Sequence, residues 1–156
     1  MNESGPNIEE IRALRDRLAE QVLRTPVIRC PAIEESMGGG TKVFAKLEFL
    51  QRTGMFKARG ALAILHGLSE EQRRIGVTAV SAGNHAIAVA FAAQAVGTTA
   101  KVVMMRSANP IRVAACEAYG AEVVLADNVH IAFEVAERIR EEEGRFFVHP
   151  FEGQSI

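Results

Sequence analysis

Apolar positions change their spacing along this chain in a regular way. From residue 77 on, short apolar runs of strand length alternate with longer stretches of helical length. The pattern predicts strands at Val77–Val80, 101–105, 122–125 and 146–149, and helices at Asn84–Val96, 110–119 and Val129–Glu143. Gly97, Gly120 and Gly144 fall just past successive helix ends, where a left-handed residue is wanted, and Pro110 is placed to open its helix. Strands alternating with helices of this length mean βαβ units and an open, twisted parallel sheet covered by helices on both faces. The predicted fold class is α/β.

The first third of the chain is less regular. Ile8, Ile11, Leu14, Leu18 and Val22 share one face of an amphipathic helix predicted over residues 7–22, which Thr25-Pro26 ends. A short extended piece at 27–28 and a helical turn at 32–37 follow, stopped by Gly38-Gly39-Gly40. Residues 42–49 alternate as a half-buried strand. After a polar turn at 51–54, an apolar helix runs to about Leu68. Ser69 with Gln72 forms a capping box for one more helical turn, which Gly76 closes. A soft boundary is expected near 51–56. There is no internal repeat or low-complexity linker, and residues 151–156 read as a loop leading elsewhere, as in a truncated piece.

Composition narrows the partners. The chain has 156 residues, is 48% hydrophobic and 24% charged, and carries a formal net charge of -1, so it lacks the basic excess that nucleic acid or an anionic membrane requires. Small molecules or proteins remain. Cys30 and Cys116 stand in no disulfide or metal-ligand spacing and are expected to be free, buried thiols of a reducing compartment. The opening MNESGPN has no leader pattern and no apolar run reaches the ~18 residues of a membrane span, which points to the cytoplasm.

Two stretches could carry chemistry. In the first, an apolar strand ends in Ser81, Ala82, Gly83, Asn84 and His85, which open an alanine-rich helix. Unpaired backbone N–H groups and the helix dipole make such a start a cradle for an anion. The same small polar residues also serve as a plain helix cap. In the second, Lys57 starts a helix among Met55, Phe56 and Ala58, a setting for a nucleophilic amine and equally for a lysine that lays its stem along the surface. His66, His130 and His149 have no metal spacing, so no metal site is expected. No GxGxxG or phosphate-loop spacing supports a dinucleotide or ATP.

Read jointly, these stretches are specific. The order Lys46-Leu47-Glu48, Leu50-Gln51-Arg52-Thr53-Gly54, Phe56-Lys57-Ala58-Arg59-Gly60-Ala61, then Ser81-Ala82-Gly83-Asn84-His85, resembles the serine/threonine dehydratase and serine racemase family of fold type II pyridoxal 5'-phosphate enzymes. Gly120-Ala121-Glu122-Val123-Val124 and Val148-His149-Pro150-Phe151 continue the resemblance in the same order. It runs from about Arg24 to the end. The resemblance implies that Lys57 bonds the cofactor aldehyde and that Phe56 lies beside the cofactor ring. It also implies that Ser81, Ala82, Gly83, Asn84 and His85 receive the substrate carboxylate, with Asn84 also bonding the cofactor's 3'-oxygen. The implied reaction is α,β-elimination of a β-hydroxy amino acid such as threonine or serine to a 2-oxo acid and ammonia.

Three departures accompany this. Met55 stands where relatives carry serine, Ile87-Ala88 where they often carry Gln-Gly, and the phosphate loop and the pyridine-nitrogen partner belong to a second half that is absent from this sequence. Residues 1–53 are therefore expected to be the amino-terminal part of a large domain, 54–150 a small α/β domain, and 151–156 the start of the return to the large one. The complete protein is expected to be a homodimer and the 156-residue chain alone inactive. A racemase of the same family, or a short non-catalytic relative that binds an anionic metabolite or a protein, is the alternative.

Overall fold

The computed structural model describes residues 7–150; the expected loop at 151–156 lies outside them. Helix α1 (Ile8–Arg17) starts at Asn7, whose side chain accepts from the Glu9 and Glu10 N–H groups while Glu10 reaches back to the Asn7 N–H. It ends sooner than the predicted 22. Leu18 is buried whereas Ile8 and Ile11 are exposed, so the apolar stripe docks only at its carboxyl end and the chain turns there to enter the core.

Strands β1 (Val27–Arg29) and β2 (Phe44–Lys46) form a separate antiparallel pair, with helix α2 (Pro31–Met37) between them. The strand expected over 42–49 is cut at both ends but alternates as expected, with Val43, Ala45 and Leu47 half-buried and Phe44 and Lys46 exposed. A side chain takes the backbone at its start, where the Val43 N–H donates to the Glu34 carboxylate. At its end a 3-10 turn (Glu48–Leu50) swings Glu48 inward.

Helices α3 (Lys57–His66) and α4 (Glu70–Ile75) follow, the second opened by the expected Ser69–Gln72 capping box. Glu48 binds the hairpin to α3. Its carboxylate accepts from Arg59 Nε and Nη2, both at 2.9 Å, and from Thr25 Oγ1 at 2.5 Å, and lies 3.7 Å from Lys46 Nζ. The Arg59 hydrogen bonds hold this carboxyl down at about 2 against the opposing effect of burial. A depressed carboxyl stabilises the fold above its unfolded value near 4.5, and that contribution is lost as pH falls toward 2. Glu48→Gln is therefore expected to lower stability by about 2 to 3 kcal/mol at pH 7, with most of the difference gone near pH 2. Calorimetric unfolding of both proteins across that range checks it.

The regular part follows the predicted boundaries closely. It comprises β3 (Val77–Val80), α5 (Asn84–Val96), β4 (Ala100–Met105), α6 (Pro110–Ala118), β5 (Glu122–Ala126), α7 (Val129–Glu143) and β6 (Phe146–Phe147). Gly97, Gly120 and Gly144 all take positive φ as expected. The strands form one parallel sheet in the order β5-β4-β3-β6. β6 stops short of the predicted 149, although the Val148 N–H still donates to Thr78 O at 2.8 Å.

Alternation along the strands divides the core. Val77, Ala79, Val102 and Met104 face the cluster built with α3 and α5, while Val80, Val103 and Ala126 face Ala132, Ala136 and Ile139 of α7. Helix α5 is buried from His85 to Ala93, which explains why its sequence is apolar all round. Ala58, Ala61, Leu62 and Leu65 of α3 complete its packing. Both cysteines are free, but only Cys116 is buried, which pushes its thiol up to about 11. Cys30 is half-buried, contrary to expectation, because it caps α2 on the open hairpin side. Among the described residues no helix is long and apolar enough to cross a membrane.

Candidate active site

The sheet itself defines where a ligand belongs. From β3 the chain moves outward through β4 to β5, then returns to the opposite side of β3 as β6. The carboxyl ends of β3 and β6 thus flank a topological switch point, the crevice where open α/β sheets bind ligands because neighbouring connections diverge there. Ser81–His85 leave one of these ends and His149–Pro150 the other.

At the first end the Ser81 N–H continues the ladder to Val103 O at 3.1 Å, and Ser81 Oγ accepts from the Gly83 N–H at 3.1 Å. Gly83 is the N-cap of α5 and supplies no capping side chain. Helix geometry leaves the N–H groups of Asn84, His85 and Ala86 without intrahelical acceptors; Ile87 is the first to bond back, to Gly83 O at 3.4 Å. The cradle is therefore the open end of α5, with the Ser81 and Gly83 N–H groups engaged elsewhere. Ala82 sits half-buried in the turn and Asn84 is exposed.

The His85 ring points inward and is buried. Its Nε2 donates to Val148 O at 2.9 Å, tying the start of α5 to the exit of β6. Burial lowers its pKa, the Val148 bond works in the opposite direction, and the positive charge of Lys57 and His149 lowers it further. Near neutrality His85 is an uncharged, Nε2-protonated ring. Its role in the geometry is to hold the two strand exits together.

Lys57 approaches from α3. Phe56 occupies the N-cap with helical backbone angles and no side-chain cap, so Lys57 is the first helical residue. Its ammonium donates to Pro150 O at 3.0 Å and lies 5.8 Å from the centroid of the exposed Phe56 ring. Two adjoining cavities meet at this amine. One, of about 310 Å³, is lined by Lys57, Ser81, Asn84, His85, Arg112 and Pro150. The other, of about 240 Å³, is largely apolar and includes Phe56, Gly60, Ala61 and Ile64.

The structure thus brings together Phe56, Lys57, Ser81, Asn84 and His85, which are separated by up to 29 positions in sequence. Arg112 and Pro150 were not foreseen. Arg112 follows the carboxyl end of β4, the strand beside β3, so a parallel sheet brings it to the same edge. Among the described residues no group of histidine, cysteine or acidic side chains could hold a metal.

The fold is a covered parallel sheet with a crevice at its switch point, where a lysine amine and an open helix start line one cavity. Residues 18–156 match the family described as "Pyridoxal-phosphate dependent enzyme", and the chain belongs to that family. It is 54% identical to the phenylserine dehydratase of Ralstonia pickettii over 95% of this chain and 45% of that protein. It is 43% identical to the L-threonine ammonia-lyase of Thermotoga maritima over 92% of this chain and 36% of that one. Among solved structures, maize serine racemase superposes with a TM-score of 0.87 at 36% identity, covering 96% of this chain and 45% of the other. These likenesses bear out the fold type II α/β reading. The chain spans less than half the length of these relatives.

Pyridoxal 5'-phosphate, the cofactor of this family, fits the residues present. The largely apolar cavity lined by Phe56, Ala61 and Ile64 suits an aromatic ring, and the Lys57 amine at its wall could bond the cofactor's aldehyde.

Proposed function

We propose that this protein, as the complete polypeptide, eliminates water from a β-hydroxy amino acid, yielding a 2-oxo acid and ammonia. The observation that carries this reading is the meeting of the Lys57 amine and the open end of α5 in one cavity. Lys57 would hold the cofactor covalently, with Phe56 beside its ring and Asn84 bonding its 3'-oxygen. The bound cofactor supplies an electron sink for the bonds at the substrate Cα.

The remaining chemistry falls to the chain's own side chains. The N–H groups of Asn84 and His85, within the Ser81-Ala82-Gly83-Asn84-His85 turn, receive the substrate carboxylate and fix the Cα–H bond toward Lys57. As the neutral amine, Lys57 Nζ, which lies at the cavity wall beside Pro150 O, would take this proton as general base. The β-hydroxyl would leave as water with the proton that Lys57 took from Cα, and the released enamine would hydrolyse to the 2-oxo acid and ammonia. Uncharged His85 adds no competing cation behind the carboxylate.

The 54% identity to a phenylserine dehydratase favours an aromatic β-substituent over the methyl of threonine. Likeness to maize serine racemase supports a second reading, inversion at Cα, in which Lys57 would take the proton from one face and a second acid would return one to the other. We assign residues 1–53 and 151–156 to a large domain and 54–150 to a small one. The assembled protein is read as a cytoplasmic homodimer, in keeping with its free thiols. The 156-residue chain by itself is expected to bind cofactor weakly and to turn over no substrate.

The test is to assay the cofactor-loaded complete polypeptide with phenylserine, threonine and serine for 2-oxo acid and for loss of chirality. The expected result is 2-oxo acid from all three, with kcat/KM at least about tenfold higher for phenylserine, the scale of a hydrophobic-pocket preference. Inversion without 2-oxo acid selects the racemase, and neither product overturns the proposal.

A further inference from the structure

Arg112 has no place in the scheme above, yet it lines the same 310 Å³ cavity as Lys57, Ser81, Asn84 and His85. Its position is fixed by the start of α6. Asn109 Oδ1 accepts from the Ile111 N–H at 2.9 Å, Pro110 occupies the first turn, and the Arg112 N–H bonds Asn109 O at 2.9 Å. From there the guanidinium passes directly over Gly83. A Cβ placed on Gly83 would lie 3.0 Å from Nη1 and 3.6 Å from Cζ, so the absence of a side chain at this N-cap gives the guanidinium access to the open end of α5. Among the described residues no carboxylate pairs with Arg112, whereas Arg15, Arg29, Arg59, Arg106, Arg140 and Arg145 each have one.

We propose that Arg112 binds the α-carboxylate of the amino-acid substrate, closing over it from α6 while the N–H groups of Asn84 and His85 hold it from below. The identity of the ligand rests on the function proposed above. The side of the cavity selects the α-carboxylate over a β-substituent, because the guanidinium abuts Gly83, the residue that opens the cradle. A planar guanidinium donating to a carboxylate forms strong, directional, charge-assisted hydrogen bonds, and a lysine at the same place gives only a point charge.

The experiment uses propionate, a carboxylate without an amino group, so it needs neither cofactor nor turnover. Amide resonances of the 156-residue chain are followed by NMR as propionate is added to the parent, Arg112→Ala, Arg112→Lys and Arg74→Ala. Arg112 and Arg74 are both exposed, so these variants keep the fold, and Arg74 controls for loss of a positive charge remote from the cavity. In the parent, the Gly83, Asn84 and His85 amides are expected to shift saturably. Arg112→Ala weakens the titration at least fivefold, Arg112→Lys recovers part of it, and Arg74→Ala matches the parent. The proposal is overturned if Arg112→Ala titrates like the parent, if Arg74→Ala weakens binding equally, or if those amides do not respond. Inactivity of the complete polypeptide alongside the expected titration would overturn the catalytic reading and leave carboxylate binding by Arg112 standing.

Discussion

Lys57→Ala in the cofactor-loaded complete polypeptide is expected to abolish the visible absorbance of the protein-linked cofactor and to cut ammonia release by about 10⁴-fold or more. The size follows from two functions residing in one atom. In the proposed function Lys57 Nζ would both anchor the cofactor and serve as the base for the Cα proton, so its loss would remove covalent positioning and proton transfer together. Stability should change little. The residue is half-buried at the first position of α3, its ammonium donates to the Pro150 carbonyl at the edge of the crevice rather than in the core, and alanine is a better helix former. Lys57→Arg separates the roles, since it keeps a cation near Pro150 but cannot lose its proton to become a nucleophile or a base. Spectra and product assays on the three proteins check this. A Lys57→Ala protein that keeps the absorbance band and turns over at the parent rate would refute the role of Lys57 altogether.

How this site could be read from sequence depends on the range over which its parts act. Val77–Val80, the turn and Asn84–Val96 were legible to the residue because each boundary is set locally: a four-residue apolar run, small polar residues, then an alanine-rich run closed by Gly97. The strand expected over 42–49 is shorter than its pattern for the opposite reason. Its ends are decided by carboxylates of distant register, Glu34 taking the Val43 N–H and Glu48 turning inward to Thr25 and Arg59. The helix expected to reach 22 has the right apolar spacing, but Ile8 and Ile11 find no core within the described residues, and Leu18 does. Arg112 and Pro150 belong to the cavity through sheet order alone, which no local pattern encodes. Lys57 and the Ser81–His85 turn were each ambiguous singly; their ordered pairing carried the family, and the geometry then placed both around one cavity.

Gly76→Ala is expected to be the most destabilising glycine-to-alanine substitution among the described residues, by about 3 to 5 kcal/mol, out of the 5 to 15 kcal/mol typical of a domain. Gly76 ends α4 and leads into β3 at φ 107° and ψ -177°, a conformation open essentially to glycine alone. A Cβ there would also meet Thr99 Oγ1 and Arg145 Nη1, each at 2.4 Å, and the Thr99 carbonyl oxygen at 2.8 Å. The Arg145 tip can swing away, but the Thr99 carbonyl cannot, because it accepts the Val77 N–H that begins the β3–β4 ladder. The Gly76 carbonyl in turn accepts the Phe146 N–H, so relaxing the clash by moving the backbone loosens β3 from both neighbours. That movement travels to the site: β3 delivers Ser81, and β6 carries the Val148 carbonyl that holds His85. Thermal unfolding of the parent, Gly76→Ala and the double variant Gly76→Ala/Thr99→Ala separates the contributions. The double variant removes the Oγ1 contact but neither the backbone strain nor the carbonyl contact, so it should recover less than half of the loss. Full recovery would place the whole effect in the Thr99 side chain, and a Gly76→Ala protein as stable as the parent would rule out the strained turn.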